Sequence, residues 1–124
     1  MRDINTIRYS TNPYNVNRVT MAAGIGALRD DAYFKQNCAK IKVTRAATVS
    51  SLEALGFTVL PSSANFIFAA TDKIPGGELY AALKKRGVLV RHFTKAKLDN
   101  YLRITIGSDE EMRILTETIK SIIG

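Results

Sequence analysis

"VLVRHFTKAKLDNYLRITIG", residues 88–107, reads as two apolar strands joined by a polar loop, with one arginine inside each strand, Arg91 and Arg103. A guanidinium is costly to desolvate, so arginines are scarce within apolar β-runs unless an anion pairs with them. Side chains alternate along a strand, which sets Tyr101, Arg103 and Thr105 on one face and Leu102, Ile104 and Ile106 on the other. In the first run Leu89, Arg91 and Phe93 share a face. If the two runs pair as a hairpin with Phe93 opposite Tyr101, Arg91 falls directly opposite Arg103 on the same face. Like charges so placed destabilise a sheet, whereas an anion between them is gripped by two guanidinium forks that suit carboxylate or phosphate. A longer crossover or an intervening strand would separate the two. Each arginine could then lay its stem on the sheet and keep its head in water.

Upstream, "PGGELYAALKKRG" (75–87) reads as a helix with Pro75 in its first turn and Gly87 as its cap. "ANFIFAAT" (64–71) is a strand apolar on both faces and therefore central, and "FTVLP" (57–61) is a briefer one. Before these, Phe34, Cys38, Ile41, Arg45, Thr48, Leu52 and Leu55 recur at steps of four and three, one stripe of a long helix that Gly56 ends. "RVTMAAGIGALRD" precedes it as a short helix, and "STNPYNVN" is crowded with turn formers. Downstream, Ser108 and Glu111 form a capping box for a last helix with Met112, Leu115, Ile119, Ile122 and Ile123 on its apolar face. This order predicts an α+β fold, a small and mostly antiparallel sheet with helices packed on it. Residues 1–19 are expected to be an irregular junction segment and residues 20–124 the domain proper.

The chain has 124 residues, 46% hydrophobic and 23% charged, a globular composition without a run that could span a membrane. "MRDINTIRYS" has no apolar centre and does not read as a secretory signal. The single cysteine, Cys38, excludes an internal disulfide and fits a reducing, cytoplasmic setting. It sits on the long helix's apolar stripe, as a structural thiol does. A formal charge of +7 admits a nucleic-acid partner, but the cations are dispersed. The tightest group, Lys84, Lys85 and Arg86, ends a helix where its dipole favours them. There is no aromatic-rich RNP-type strand and no Gly-x-x-Gly clamp. Gly24 and Gly26 lack the third glycine and the preceding strand of a dinucleotide loop, and suggest close helix packing instead. His92 faces away from Arg91 and reads as structural, as do Asn65, Tyr14 and Asn15.

"NPYNVN" (12–17), "LPSSANFIFA" (60–69), "GVLVRHF" (87–93) and "YLRITIGSDEEM" (101–112) together resemble the C-terminal part of pyridoxal-phosphate aminotransferases of the aspartate-aminotransferase fold type, most closely the histidinol-phosphate branch. The resemblance implies the small domain of such an enzyme. In it Arg103 matches the arginine that holds the substrate α-carboxylate, or the phosphate in the other half-reaction. Arg91 matches a second arginine that accommodates the phosphate or distal carboxylate. The implied reaction converts histidinol phosphate and 2-oxoglutarate to imidazole acetol phosphate and glutamate in histidine biosynthesis, in an enzyme expected to be a homodimer.

The same resemblance points to what lies elsewhere. The family's Schiff-base lysine follows a serine in a motif of the large domain, and Lys35, Lys40, Lys42, Lys73, Lys84, Lys85, Lys95, Lys97 and Lys120 all stand outside such a context. The resemblance thus implies a substrate-gripping piece without the large domain, with no catalytic or cofactor-binding residue of its own, no bound pyridoxal phosphate and no transamination alone. The competing expectation is a standalone basic module that binds a small anion or nucleic acid.

Overall fold

Burial alternates along the two central strands as the sequence pattern requires, and that alternation builds the molecule. The computed structural model describes residues 15–124 together with Ile4, Thr6 and Ile7. Its elements run α1 (Arg18–Arg29), α2 (Asp31–Ala54), β1 (Thr58–Leu60), β2 (Phe66–Ala70), α3 (Gly76–Lys85), β3 (Arg91–His92), β4 (Leu102–Thr105) and α4 (Asp109–Ile123). The sheet order is β1-β2-β4-β3, with every neighbouring pair antiparallel. The expected α+β architecture is therefore the observed one, and "ANFIFAAT" does supply a central strand.

One face of the sheet presents Ile67, Ala69, Leu102, Ile104 and Ile106, all buried, to Leu52 of α2, Leu79 and Leu83 of α3, and Leu115 and Ile119 of α4. Burying a Leu or Ile side chain of this kind stabilises by roughly 1.5–3 kcal/mol, so this layer is the main cohesive term. The opposite face carries Phe66, Phe68 and Arg103, half-buried, and Thr105, exposed.

Local chemistry explains the element ends. The Asn17 side chain accepts from the Thr20 N–H at 2.9 Å and starts α1 at Arg18. Of the segment expected to be irregular, Arg18 and Val19 are in α1, and Ile4, Thr6 and Ile7 are helical. Tyr14 and the start of "NPYNVN" lie outside the described residues. Gly56 and Gly87 adopt φ of +87° and +81°, the left-handed geometry that ends α2 and follows α3. Phe57 N–H returns to Leu52 O and Val88 N–H to Leu83 O, both at 3.0 Å, closing the two helix ends. Arg45 donates to Ala64 O, fastening α2 to the turn before β2. The capping box at α4 is present as expected, Ser108 N–H donating to Glu111 Oε2 at 2.7 Å and Glu111 N–H to Ser108 Oγ at 3.3 Å.

The chain divides into two compact units, Met1–Gln36 and Asn37–Gly124. The long helix's stripe is covered only in its second part: Thr48 and Leu52 are buried and Cys38 half-buried, whereas Phe34, in the first unit, is 60% exposed. A Cβ at Gly24 or Gly26 would meet nothing within 4 Å among the described residues. The run "VLVRHF" also pairs over only Arg91 and His92. Val88, Leu89 and Val90 diverge from β4, and a cleft of about 460 Å³ opens between them and Ile104, Thr105 and Met112.

Candidate functional site

β3 and β4 pair with Arg91 opposite Arg103 and His92 opposite Leu102, the register in which the two arginines come together. Directly opposed residues of an antiparallel pair have Cβ atoms about 4.5–5.5 Å apart, so the two arginine side chains leave the same face of the sheet side by side. On its other side Arg103 is opposite Phe68 of β2. The patch is floored by aromatic rings. Arg103 Cζ lies 5.3 Å from the centroid of Phe66, and Arg91 Cζ lies 5.5 Å from that of Phe93. Phe68 stacks on Phe93 at 5.9 Å, meets Tyr101 at 6.4 Å and meets Phe66 edge-on at 6.3 Å. Phe66 and Phe93 each offer a π-face to an arginine, an attraction worth about 1 kcal/mol where partly desolvated.

The two arginines differ in environment. Arg91 is exposed and Arg103 half-buried. Arg103 Nε is buried without a hydrogen-bond partner, alone in this among the described residues. Neither arginine has a carboxylate partner among the described residues, where the ion pairs are Lys35 with Asp31 and Arg113 with Glu110 and Glu117. A buried, unpaired donor on a charged group is costly, and an incoming carboxylate or phosphate is the partner that removes the cost. The arrangement can therefore hold an anion against an apolar floor.

The other residues singled out from the sequence stand apart from the pair. His92 turns to the opposite side, its Nε2 bonded to Asp99 O at 2.7 Å and its ring stacked on Tyr80, a structural role as expected. Asn65 contributes its backbone, accepting from Ile106 N–H at 2.8 Å. Cys38 is a free, half-buried thiol, and no metal-ligating group of His, Cys, Asp or Glu exists among the described residues. The sequence reading missed the aromatic floor. Period-two alternation along β2 sets Phe66 and Phe68 on one face, and only the β2–β4 pairing brings them beside Phe93 and Tyr101.

Comparison with known proteins bears on the family and the fold. A family model, aminotransferase class I and II, matches residues 4–119. A histidinol-phosphate aminotransferase of Brachyspira hyodysenteriae is 46% identical over 99% of this chain and 35% of its own length. One from Clostridium botulinum is 42% identical over the whole chain and 35% of its own length. The chain thus spans about a third of the curated relatives it matches. Among solved structures, the histidinol-phosphate aminotransferase of Clostridium acetobutylicum superposes with a TM-score of 0.78 at 26% identity, over 94% of this chain and 36% of that one. That of Sinorhizobium meliloti, solved with pyridoxal-5'-phosphate, gives 0.73 at 27%, over 94% of this chain and 34% of that one.

The residues present do not fit that cofactor's covalent anchor. Every lysine is exposed, and none stands on a strand beside the arginines. With its family model matched from residue 4 to residue 119, the chain belongs to the aminotransferase class I and II family.

Proposed function

We propose that this chain is the C-terminal, substrate-gripping part of a histidinol-phosphate aminotransferase, and that Arg103 and Arg91 hold the anionic end of its substrates. In this reading residues 20–124 form the small domain and residues 1–19 the junction to a large domain that anchors pyridoxal phosphate. The observation that carries it is the alignment of Arg91 with Arg103, with Arg103 Nε buried and unpartnered above Phe66.

Histidinol phosphate and glutamate would occupy one site in turn. Beyond the amine that is transferred they share little but an anionic group, so a pair of fixed cations on an apolar floor is a recognition device that serves both. Arg103, the more buried, supplies the oriented fork, and the exposed Arg91 supplies the second charge. Lacking an anchored lysine, the chain alone would bind without transaminating. The parent enzyme is proposed to be a cytoplasmic homodimer. No helix among the described residues is long and apolar enough to cross a membrane.

A second reading has one observation in its favour. Phe66, Phe68, Phe93 and Tyr101 with two arginines on an open sheet face are also what stacks single-stranded bases. Titration of the chain with inorganic phosphate, glutamate and a short single-stranded RNA, followed by the Arg Nε–H resonances, separates the two. Saturable shifts at Arg103 and Arg91 with phosphate and glutamate, lost in Arg103→Ala, are expected. Shifts with RNA alone would move the assignment to the second reading, and no shift with any of the three removes both.

A further inference from the structure

Only two residues of β3 pair with β4, too short a ladder to fix its own register against slippage. The loop that joins the strands is instead tied at both ends to the frame made by α3 and the end of β2. At the β4 end, Asn100 uses both halves of its amide: Gly76 N–H donates to Oδ1 at 2.9 Å, and Nδ2 donates to Thr71 O at 3.2 Å. At the β3 end, His92 Nε2 lies 2.7 Å from Asp99 O. A carbonyl only accepts, so Nε2 must carry the proton there. The His92 ring is stacked on Tyr80 of α3 at 5.7 Å. The loop lies so close to α3 that a Cβ on Gly76 would come within 2.7 Å of both Asp99 O and Asn100 O.

We propose that Asn100 and His92 are positioning residues for the arginine pair, latching the loop to α3 and Thr71 so that Arg91 stays opposite Arg103. This rests on the anion-binding reading above. His92 sits next to Arg91 in the chain and points to the opposite face, so holding its ring on Tyr80 fixes which way Arg91 projects. Asn100 stands two residues before β4 begins, so its two bonds set where Arg103 enters the sheet. Neither residue touches the anion. Their effect is on the spacing of the two cations that do.

The test uses the whole chain and two readouts, backbone amide exchange and affinity for inorganic phosphate. In Asn100→Ala, exchange at Arg91 and His92 should quicken about tenfold and phosphate affinity should fall about tenfold, with protection at Leu52 and Leu115 unchanged. Asn100→Asp keeps an acceptor for Gly76 N–H and loses the donor to Thr71 O, so it should fall between Asn100→Ala and the native chain. It also carries the comparison if Asn100→Ala does not fold. His92→Phe keeps a ring for Tyr80 but no donor, and should weaken phosphate binding, whereas His92→Gln, with a donor in reach of Asp99 O, should recover part of it. Native phosphate affinity in Asn100→Ala and Asn100→Asp, with or without faster exchange, overturns the latch and leaves the anion site standing. A native chain that does not bind phosphate overturns the anion site, and the latch with it.

Discussion

Arg103 is placed where a lysine could not do the same work. Its Nε is buried and unpartnered while its Cζ lies over the Phe66 ring, so the charge and the buried donor are both engaged at one position. Arg103→Lys keeps the charge and loses the fork, and phosphate affinity of the chain should drop about tenfold or more. Arg91 is exposed, and Arg91→Lys should cost only a few-fold, as solvent already screens it. Isothermal titration of the two variants side by side measures this difference; equal losses would mean that burial at Arg103 does not matter to binding. Gly76 offers a second contrast at this scale. Alanine there gains helix propensity but drives a methyl into backbone atoms of Asp99 and Asn100, which cannot move as a side-chain tip can. Gly76→Ala should destabilise the chain by roughly 1–3 kcal/mol. Gly26→Ala, with nothing within 4 Å of the new Cβ among the described residues, should be neutral or stabilising by up to about 1 kcal/mol. Denaturant midpoints of both variants decide it, and a Gly76→Ala midpoint at or above the native one would show that the loop gives way easily.

The last helix shows how an element's end carries its own pH dependence. Glu111 is held below the ordinary carboxylate range, first by the Ser108 backbone N–H and then by the Ser108 hydroxyl. Its folded value lies below its unfolded one, so the stabilisation is present above the unfolded value and is lost as pH falls through the folded one. Glu111→Gln can still accept from Ser108 N–H but has no charge to lose. The gap in melting temperature between the native chain and Glu111→Gln should therefore be widest near neutral pH and close as pH falls below the ordinary carboxylate range. A gap independent of pH would place the contribution of Glu111 in its shape and not its charge. Ser108→Ala removes the cap itself and should cost about 1 kcal/mol at neutral pH. Elements of this kind were legible in the sequence because their causes are local: Ser108 with Glu111, Gly56 and Gly87 all work within one turn of chain. β3 was overread for the opposite reason. Val88 to Val90 have a strand's composition, yet whether they join the ladder depends on their distance from β4 and α4, which periodicity does not encode.

Across the molecule, the site was half legible. Period-two alternation and one assumed hairpin brought Arg91 to Arg103, and the structure has that register. The aromatic floor and the Asn100 contacts depend on β2 and α3, far away in sequence, and residue pattern alone does not pair distant segments. The division at residue 36 was likewise invisible, because α2 runs through it without a break in helical pattern. The chain's span, a third of its histidinol-phosphate aminotransferase relatives, bears on how it can act. Imine formation with pyridoxal phosphate joins one lysine amine to the cofactor. Every lysine here is exposed. Incubation of the chain with pyridoxal phosphate, borohydride reduction and peptide mapping should give low labelling spread over several lysines, without a stable aldimine absorption band. One lysine labelled stoichiometrically would mean that the chain carries its own anchor, and that binding and covalent chemistry are not divided between this piece and the rest of an enzyme.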